Sequence, residues 1–397
     1  METIAKVFMG CKLRKKFVVK ILVLTLSMSL LYVTITYYNG NGLHSPTDRL
    51  GPLFNVLKSG YHLDNIQAFS AVSDEEKYEL MNNIRDSVDS VLKKCNAGKS
   101  LCKENLQGSK LLTLFTTWVY DEDKFPINYK TMINWKTLLS NANLIVFSNS
   151  SEVQHHSELA GFTILPVTHE ADGSPVLPTM FKAAKKKFQS QFYGFANADI
   201  LFNDSLMKTL SSLVCNLNSS YIQNGLLIVG RRINVPAMNV TGQDAISSSS
   251  LARISKSSGS LFQTDAEDYF ITDMNYNWNN FLPVVIGRRG YDNWVVAYSR
   301  YNNITVMDAT ESILCIHQTI QSRGNYEGLS KGDYNIDLIE KKKMPFSFAA
   351  WGRTWCSDLK TWFDLCGQVI ISVRSKVNTG CTSLYWYHNL LNFLGFG

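Results

Sequence analysis

The sequence has little net charge, no zinc-type cysteine spacing and no internal repeat. Lys and Arg (39) outnumber Asp and Glu (33) by only six in 397 residues. Much of this excess lies before residue 21, where five lysines and one arginine face a single acid, Glu2. Nucleic acid is therefore not an expected partner. The eight cysteines match no common zinc-ligand set.

An uncharged stretch near the N-terminus predicts a membrane anchor. Ile21–Tyr38 has eighteen residues without a charge, and apolar residues before Lys20 extend it, so it is long enough to span a bilayer. Its far end carries three tyrosines, which are typical of the membrane interface rather than of a cleavage site. We predict a single-pass type II protein with a cytosolic tail (1–16), an anchor (17–38) and a luminal remainder. A cleaved secretory signal is the alternative.

Seven of the eight cysteines follow the anchor, where disulfides can persist. Two groups predict local disulfides whose connectivity the spacing does not fix: Cys95 with Cys102, and Cys356, Cys366 and Cys381. One of the seven must stay free or pair between chains. Five N-x-S/T sequons agree with luminal exposure. They are Asn149, Asn203, Asn218, Asn239 and Asn303.

The luminal chain divides by composition into three parts. Residues 39–108 predict a stem with a helix near 74–94, which either packs on the main domain or pairs with a copy of itself. A homodimer through the stem or the anchor is therefore left open. From 109 to 330 strands alternate with helices, which predicts right-handed crossovers and a doubly wound, mostly parallel α/β sheet. Residues 331–397 are a Cys- and aromatic-rich extension.

Some segments of the main domain predict single elements. The apolar runs Phe192–Phe202 and Leu226–Ile233 each predict one buried strand. Two further strands are predicted at Asp265–Ile271 and Phe281–Gly287. The serine-rich stretch 239–262 predicts a mobile loop.

Asn197 and Asp199 are the two polar side chains in which the predicted buried strand at Phe192–Phe202 ends. In parallel α/β sheets ligands bind at the carboxyl ends of strands, which is where these two residues fall. Oxygen ligands at i and i+2 can both reach a hard divalent cation, and that cation can neutralise a pyrophosphate. The alternative is a strand end whose Asp only caps a turn.

Three motifs, in this order, resemble those of GT-A type nucleotide-sugar glycosyltransferases. They are Phe195-Ala-Asn-Ala-Asp-Ile200, Ile286-Gly-Arg-Arg-Gly-Tyr-Asp-Asn-Trp294, and Val306-Met-Asp-Ala-Thr310 with Ile316-His-Gln318. The resemblance covers roughly residues 109–325. It implies a D-x-D type metal site at Asn197 and Asp199, with Asn197 in place of the first acid and one charge lost. It also implies His317 as a third metal ligand; a histidine satisfied within the core is the alternative.

The same resemblance implies that the first strand and the loop after it hold the nucleotide. The residues concerned are Thr116, Thr117, Asp121 and Asp123. Lys182, one of four lysines on the third predicted helix, could reach a phosphate, although that run also reads as a solvated face.

Asp292 is the candidate general base. It lies in a glycine-rich turn at the start of a helix, beside Trp294, which could stack on a sugar. Its alternative role is the helix N-cap. Asp265, Glu267 and Asp268 are rivals for base or acceptor binding, or else solvated charges at a strand edge.

The sequence thus predicts a metal-dependent glycosyltransferase of the Golgi or endoplasmic-reticulum membrane. It would use a nucleotide-sugar, with UDP-sugar preferred, and Mn²⁺ or Mg²⁺, and its acceptor would be a luminal glycan, protein or lipid. One alternative is a non-catalytic luminal binding protein that keeps the fold. A nucleotidyltransferase is disfavoured because Thr116-Thr-Trp-Val-Tyr120 has no glycine to form a phosphate loop.

Overall fold

The computed structural model describes residues 110–217, 221–222, 224–320, 332–364, 366–375 and 379–381. The predicted tail, anchor and stem, including the helix near 74–94, lie outside these residues. Within the described ranges, no helix is both long and apolar enough to cross a bilayer.

Strands and helices alternate through the first half of the described chain, as predicted. The helices are α1 (Phe125–Leu138), α2 (Ser151–Leu159), α3 (Leu177–Lys187) and α4 (Ser205–Asn216). The strands are β1 (Lys110–Thr117), β2 (Ala142–Phe147), β3 (Thr163–Leu165), the short hairpin of β4 (Glu170–Ala171) and β5 (Ser174–Pro175), β6 (Ser190–Ala196) and β7 (Ile200–Phe202). Proline in the first turn of α1 and of α3 suits a helix start, where its missing N–H has no intrahelical partner to lose.

The second half contains further strands and helices. The strands are β8 (Leu226–Val229), β9 (Ile233–Pro236), β10 (Ser260–Leu261), β11 (Tyr269–Asp273), β12 (Thr305–Glu311), β13 (Cys315–Thr319), β14 (Leu359–Phe363) and β15 (Val369–Val373). The α-helices are α5 (Gly242–Ala245), α6 (Ser248–Ser258), α7 (Tyr291–Tyr301), α8 (Tyr334–Lys341) and α9 (Phe348–Trp351).

In the described part of the chain, the main sheet has nine strands in the order β15-β14-β12-β8-β11-β6-β1-β2-β3. Seven of them run in one direction, while β11 and β15 run antiparallel to their neighbours. Helices α1 and α4 pack into the apolar cluster on one face, and α3 and α7 into the cluster on the other. Because both faces are covered, the central strands are apolar throughout. The predicted doubly wound, mostly parallel α/β sheet is confirmed.

A second sheet, in the order β10-β9-β13-β7, corrects two of the predicted strands. The run 192–202 is not one strand, because the chain turns at Asn197, whose carbonyl oxygen accepts from the N–H of Ile200 (3.2 Å). Beyond the turn, β7 leaves the main sheet and pairs with β13. The run 226–233 breaks in the same way between β8 and β9. Continuous apolar sequence could not reveal either break, since both sheets bury their strands.

Two other sequence predictions are wrong. The stretch 239–262 is not a loop, because it forms α5 and α6. Ser247 caps α6 by accepting from the N–H of Ser250, and Leu251 and Ile254 are buried against β9. The stretch 281–287 is not a strand; it makes only a single bridge, between Val176 and Val285.

The C-terminal part of the described chain continues the main sheet. β14 pairs in parallel with β12, and β15 pairs with β14. Cys356 and Cys381 form a disulfide with each other. Cys215 and Cys366 each take part in a disulfide as well. Among the described cysteines, Cys315 is free and buried.

Candidate functional site

Several chain segments meet at the carboxyl edge of the main sheet. The parallel strands β1 and β6 end there side by side, with Phe115 paired to Phe195. Because β11 is antiparallel, it begins at this edge, with Tyr269 paired to Ala196, and so brings the acidic stretch 265–268 to the same place. The small sheet adds β13, where His317 pairs with Ile200. Helix α7 adds its first turn, where the hydroxyl of Tyr291 donates to Oδ1 of Asn197 (3.4 Å).

Asp199 and His317 form a carboxylate–imidazole pair at this edge. Asp199 Oδ2 lies 3.1 Å from His317 Nε2, and the Asp199 side chain is 35% exposed while that of His317 is 9% exposed. Asp199 Oδ1 and His317 Nδ1 have no hydrogen-bond partner among the described residues. Two of the predicted metal ligands are therefore adjacent, and each keeps an unused atom.

Each member of this pair shifts the pKa of the other. Burial alone would raise the pKa of Asp199, but the charge and hydrogen bond of His317, helped by Arg232, lower it overall. Burial alone would lower the pKa of His317, but the charge and hydrogen bond of Asp199, with a contribution from Asp268, raise it overall. Both shifts favour the charged pair over the neutral one.

Asn197 belongs to a buried network rather than facing the cation position freely. Its side-chain amide donates to Asp268 Oδ1 (2.8 Å), and its backbone N–H donates to the Asp268 carbonyl (3.0 Å). Arg232 Nη1 donates to both carboxylate oxygens of Asp268, at 2.6 and 2.5 Å. Arg232 and Asp268 are each 5% exposed, so their charges compensate in a largely dry environment. The Arg232 guanidinium also lies over the ring of Phe262.

Asp292 is the second residue of α7, and it is not the N-cap. The N-cap is Gly290, in a left-handed conformation (φ 85°), and Asp292 Oδ1 accepts from the N–H of Asn293 (2.9 Å). Burial raises the pKa of Asp292 to about 7; that N–H opposes the shift, and the charges of Asp268 and Asp265 add to it. A carboxyl group with such a pKa can accept a proton near neutral pH.

Glu267 is a buried carboxyl group beside these acids. It is 1% exposed, and neither of its carboxylate oxygens has a hydrogen-bond partner within the described ranges. Burial raises the pKa of Glu267 well above its usual range, and the charges of Asp292 and Asp265 raise it further. The reading of Glu267 and Asp268 as solvated strand-edge charges is wrong, because both are buried.

The predicted nucleotide-contact residues are dispersed. Thr116 is buried within β1, and Thr117 ends that strand at the level of Asn197. Asp121 Oδ1 accepts from the N–H groups of Asp123 (3.0 Å) and Lys124 (3.3 Å), so it organises the turn before α1. Asp123 itself is exposed. Thr117 is thus the member of this set that stands at the sheet edge beside Asn197.

Lys182 and Trp294 do not have the surroundings that their predicted roles require. Lys182 is exposed in the middle of α3, whose buried side packs on β1 and β6. Trp294 is 0% exposed and packs in the core against Phe281 and Phe346, so it cannot stack on a sugar.

Arg232 is a residue of the candidate site that the sequence motifs do not single out. It sits in the Arg231-Arg232 pair directly after an apolar strand, as Asn197 and Asp199 do, and that position was the available signal. The partner of Arg232, Asp268, is 36 residues away, so only the fold shows that the two charges pair.

Asp199 and His317 are the residues of this site that could contribute ligands to a divalent cation. No group of three or more His, Cys, Asp or Glu residues in the described part of the chain is arranged to hold a metal. Asp199 and His317 supply one oxygen and one nitrogen, and Mg²⁺ commonly binds one or two carboxylates together with substrate phosphates and water. The unpartnered Asp199 Oδ1 is the atom best suited to such an ion.

No protein-family model and no curated protein matches the chain. Among solved structures, Staphylococcus aureus TarS 1–349 with UDP-GlcNAc is 11% identical over 32% of this chain and 35% of that one, with a TM-score of 0.24. The alignment thus spans about a third of the TarS fragment. The Pyrobaculum calidifontis mannosyltransferase PcManGT with GDP-Man and Mn²⁺ is 7% identical (58% of this chain, 65% of that one, TM-score 0.33). Mycobacterium tuberculosis glucosyl-3-phosphoglycerate synthase is 10% identical (59% and 80%, TM-score 0.33).

The fold assignment depends on the sheet itself: a large, mostly parallel sheet with helices on both faces and polar residues gathered at the carboxyl ends of its strands. This architecture fits the GT-A type that the sequence motifs resemble.

Proposed function

We propose that the protein is a glycosyltransferase that moves a sugar from a nucleotide-sugar, with UDP-sugar as the preferred donor. The acceptor would be a glycan, protein or lipid in the lumen of the Golgi or endoplasmic reticulum. One observation carries the proposal. A partly exposed carboxylate (Asp199) paired with a buried imidazole (His317) and a carboxyl group with a pKa of about 7 (Asp292) stand at the same edge of one α/β sheet.

The chemistry divides between these two groups. Asp199 and His317 would hold Mn²⁺ or Mg²⁺, which when bound neutralises the charge that develops on the leaving diphosphate. Asp292 would take the proton of the acceptor hydroxyl as that oxygen bonds to the anomeric carbon. The bond from this carbon to the diphosphate breaks at the same time, which gives inversion. Arg232 fixes Asp268 and, through it, the Asn197 turn that positions Asp199.

A second candidate is a luminal binding protein with this fold and without turnover. It is favoured by Asn197, whose amide is committed to Asp268 and whose oxygen faces the Tyr291 hydroxyl, so that position offers no free acid. Arg232 also neutralises Asp268. The transferase and the binding protein would use the same site to bind a nucleotide-sugar, and they differ only in whether sugar is transferred.

The test uses the purified full-length chain and a panel of nucleotide-sugars with and without Mn²⁺. Under the proposal, one donor binds and is transferred or slowly hydrolysed only with metal. Asp199→Ala should abolish metal-dependent donor binding, whereas the matched control Asp337→Ala, an exposed acid on α8, should leave it intact. Donor binding without transfer to any acceptor favours the binding protein. If no donor binds, or if Asp199→Ala binds donor and metal normally, the assignment of this site is wrong.

A further inference from the structure

A cavity of about 580 Å³ opens at the edge of the main sheet opposite the candidate site. Gly225 lies directly before β8 and Ile304 directly before β12, so the cavity is at the amino ends of the parallel strands. The antiparallel β11 connects the two edges: Asp268 precedes it at one end, and Asn275 lies just beyond it at the other. Five strand residues separate the edges by roughly 17 Å, so the cavity is distinct from the site of Asp199 and Asp292.

Asparagine dominates the lining of this cavity, which we call the asparagine pocket. The five asparagines are Asn224, Asn275, Asn277, Asn280 and Asn302. The other described lining residues are Gly225, Tyr298, Ile222 and Ile304, so none of the described lining side chains is charged. A cavity of this size is large enough for a small ligand, and none of its described lining side chains supplies a charge that would compensate a charged ligand.

In four of the five asparagines, either the side-chain nitrogen or the side-chain oxygen makes a hydrogen bond, and the other atom remains available. Asn224 Nδ2 donates to the Asn302 carbonyl (3.3 Å), and Asn302 Nδ2 donates to the Tyr298 carbonyl (2.8 Å). Asn275 Nδ2 donates to Asp273 Oδ2 (3.0 Å), and Asn277 Oδ1 accepts from the N–H of Asn279 (2.9 Å). Within the described residues, three side-chain carbonyls and one amide group therefore remain unused. Their orientations are fixed before any ligand arrives.

Three of the asparagines, Asn275, Asn277 and Asn280, lie on the loop after β11, and hydrogen bonds from neighbouring elements hold this loop in place. Buried Asp273 accepts from the N–H groups of Leu226 (2.9 Å) and Tyr276 (3.1 Å). Gly225 has φ of 114°, and a side chain there would meet Asp273 and the Tyr276 backbone at 3.1 Å. Lys185 holds the same loop by donating to the Met274 carbonyl (2.8 Å). A pre-organised wall of this kind loses little entropy when a ligand binds.

We propose that the asparagine pocket binds a neutral oligosaccharide. Each free amide atom donates to or accepts from a hydroxyl group, and a sugar presents many hydroxyls that do both. Tyr298, Ile222 and Ile304 offer apolar surface for the C–H face of a sugar ring. The pocket does not share residues with the catalytic site, so this proposal stands or falls independently of the proposed transfer.

The test measures binding of three probes, chitotriose, N-acetyllactosamine and mannotriose, to the full-length chain in a detergent without a sugar headgroup. Titration calorimetry and saturation-transfer NMR are the readouts. At least one probe should bind in the micromolar to millimolar range, and 3′-sialyllactose, which carries a charge, should bind more weakly than N-acetyllactosamine.

Variants locate the binding. Asn280→Ala and Asn277→Ala should each weaken the binding of that probe by about fivefold or more, the usual effect of a lost hydrogen bond. Asn279→Ala is the matched control, since Asn279 is exposed beside the pocket without lining it. Asp199→Ala should also leave the affinity unchanged. Asn280 is exposed, so its variant keeps the test valid even if Asn277→Ala fails to fold.

Three results would overturn the proposal. One is the absence of binding by all three probes at millimolar concentration. Another is equal affinity in Asn280→Ala and the unsubstituted chain. A third is loss of probe binding in Asp199→Ala with full binding in both pocket variants, which would place the sugar in the candidate active site.

Discussion

Asp292 has the pKa of a group that changes charge near neutrality, because its carboxyl is buried in the first turn of α7 close to Asp268 and Asp265. As a base it must be deprotonated to act. The rate of transfer at low substrate should therefore rise with pH through about 7 and level off above it.

Asp292→Asn tests this role, because Asn keeps the shape of the side chain and removes the proton acceptor. We expect transfer to slow by about a hundredfold or more, with nearly unchanged donor affinity and without the pH dependence near 7. Steady-state kinetics across pH and donor titration make the measurement. Near-normal transfer with a lowered melting temperature would instead show a structural carboxylate, and lost donor binding would place Asp292 near the phosphates.

The buried carboxyl group of Glu267 leads to a prediction about how the stability of the protein depends on pH. Because its pKa is raised in the folded state, the native protein holds the proton more tightly than the unfolded chain does. Stability is therefore lost as pH rises from the usual range of a carboxyl group to the raised pKa, where the buried group must ionise. Glu267→Gln cannot ionise and should escape that loss.

Thermal unfolding at pH 5 and pH 8 checks this expectation. Glu267→Gln should match the unsubstituted protein at pH 5 and exceed it at pH 8 by up to about 4 kcal/mol, since each pH unit between the usual and the raised pKa costs about 1.4 kcal/mol of stability. Exposed Glu170→Gln is the control and should change nothing at either pH. A variant that is less stable at both values would mean that Glu267 has a partner that Gln cannot replace.

At the scale of the element, Asn134 on α1 connects structures that no sequence period relates. Its side chain is 0% exposed. Its Nδ2 donates to the carbonyls of Phe202 (2.9 Å) and Ala245 (2.6 Å), and its Oδ1 accepts from the N–H of Phe202 (2.9 Å). One side chain thus fixes the end of β7 and the end of α5 against α1. The contact at Phe202 is only three residues beyond Asp199.

Asn134→Ala should destabilise the protein by about 3 kcal/mol or more, because several buried backbone groups would lose their partners. It should also weaken metal-dependent donor binding, since β7 follows Asp199 directly. Denaturant unfolding and donor titration are the measurements, with exposed Asn141→Ala as the control. Unchanged stability would mean that water or a local shift replaces all three hydrogen bonds.

At the scale of the whole molecule, the predicted type II orientation has a direct test in sealed microsomes. A tag before Met1 should be protease-accessible and a tag after Gly397 protected, and detergent should make both accessible. The reverse pattern would contradict the topology and leave the disulfide of Cys356 and Cys381 without an oxidising compartment.

The sequons refine the same experiment. Asn239 and Asn303 are exposed, whereas Asn203 is 9% exposed and its Oδ1 accepts from the N–H of Ser205. Asn239→Gln or Asn303→Gln should therefore remove a glycosidase-sensitive mass shift, and Asn203→Gln should not.

The sequence alone determined the class of the fold and the segments that form the candidate site. Alternating apolar strands and helices near residues 110–216 can bury their surfaces only as layers around a covered sheet, and local pattern contains that information. The same pattern placed Asn197, Asp199 and Asp292 at the ends of segments. In the structure, Asn197 and Asp199 lie at one edge of the sheet, and Asp292 lies in the first turn of α7. His317 came from a motif resemblance rather than from any period.

The tertiary structure decided what pairs with what. The breaks at Asn197 and after Val229 are invisible in sequence, because a strand buried in either sheet has the same apolar composition. Arg232 and the side-chain amide of Asn197 both donate to the carboxylate of Asp268. They can do so because antiparallel β11, which follows Asp268, lies between β6 and β8. Trp294 likewise lies in the core and offers no surface to a sugar, because Phe281 and Phe346 cover it. Burial depends on what covers a side chain, and the covering residues here come from segments tens of residues away along the chain.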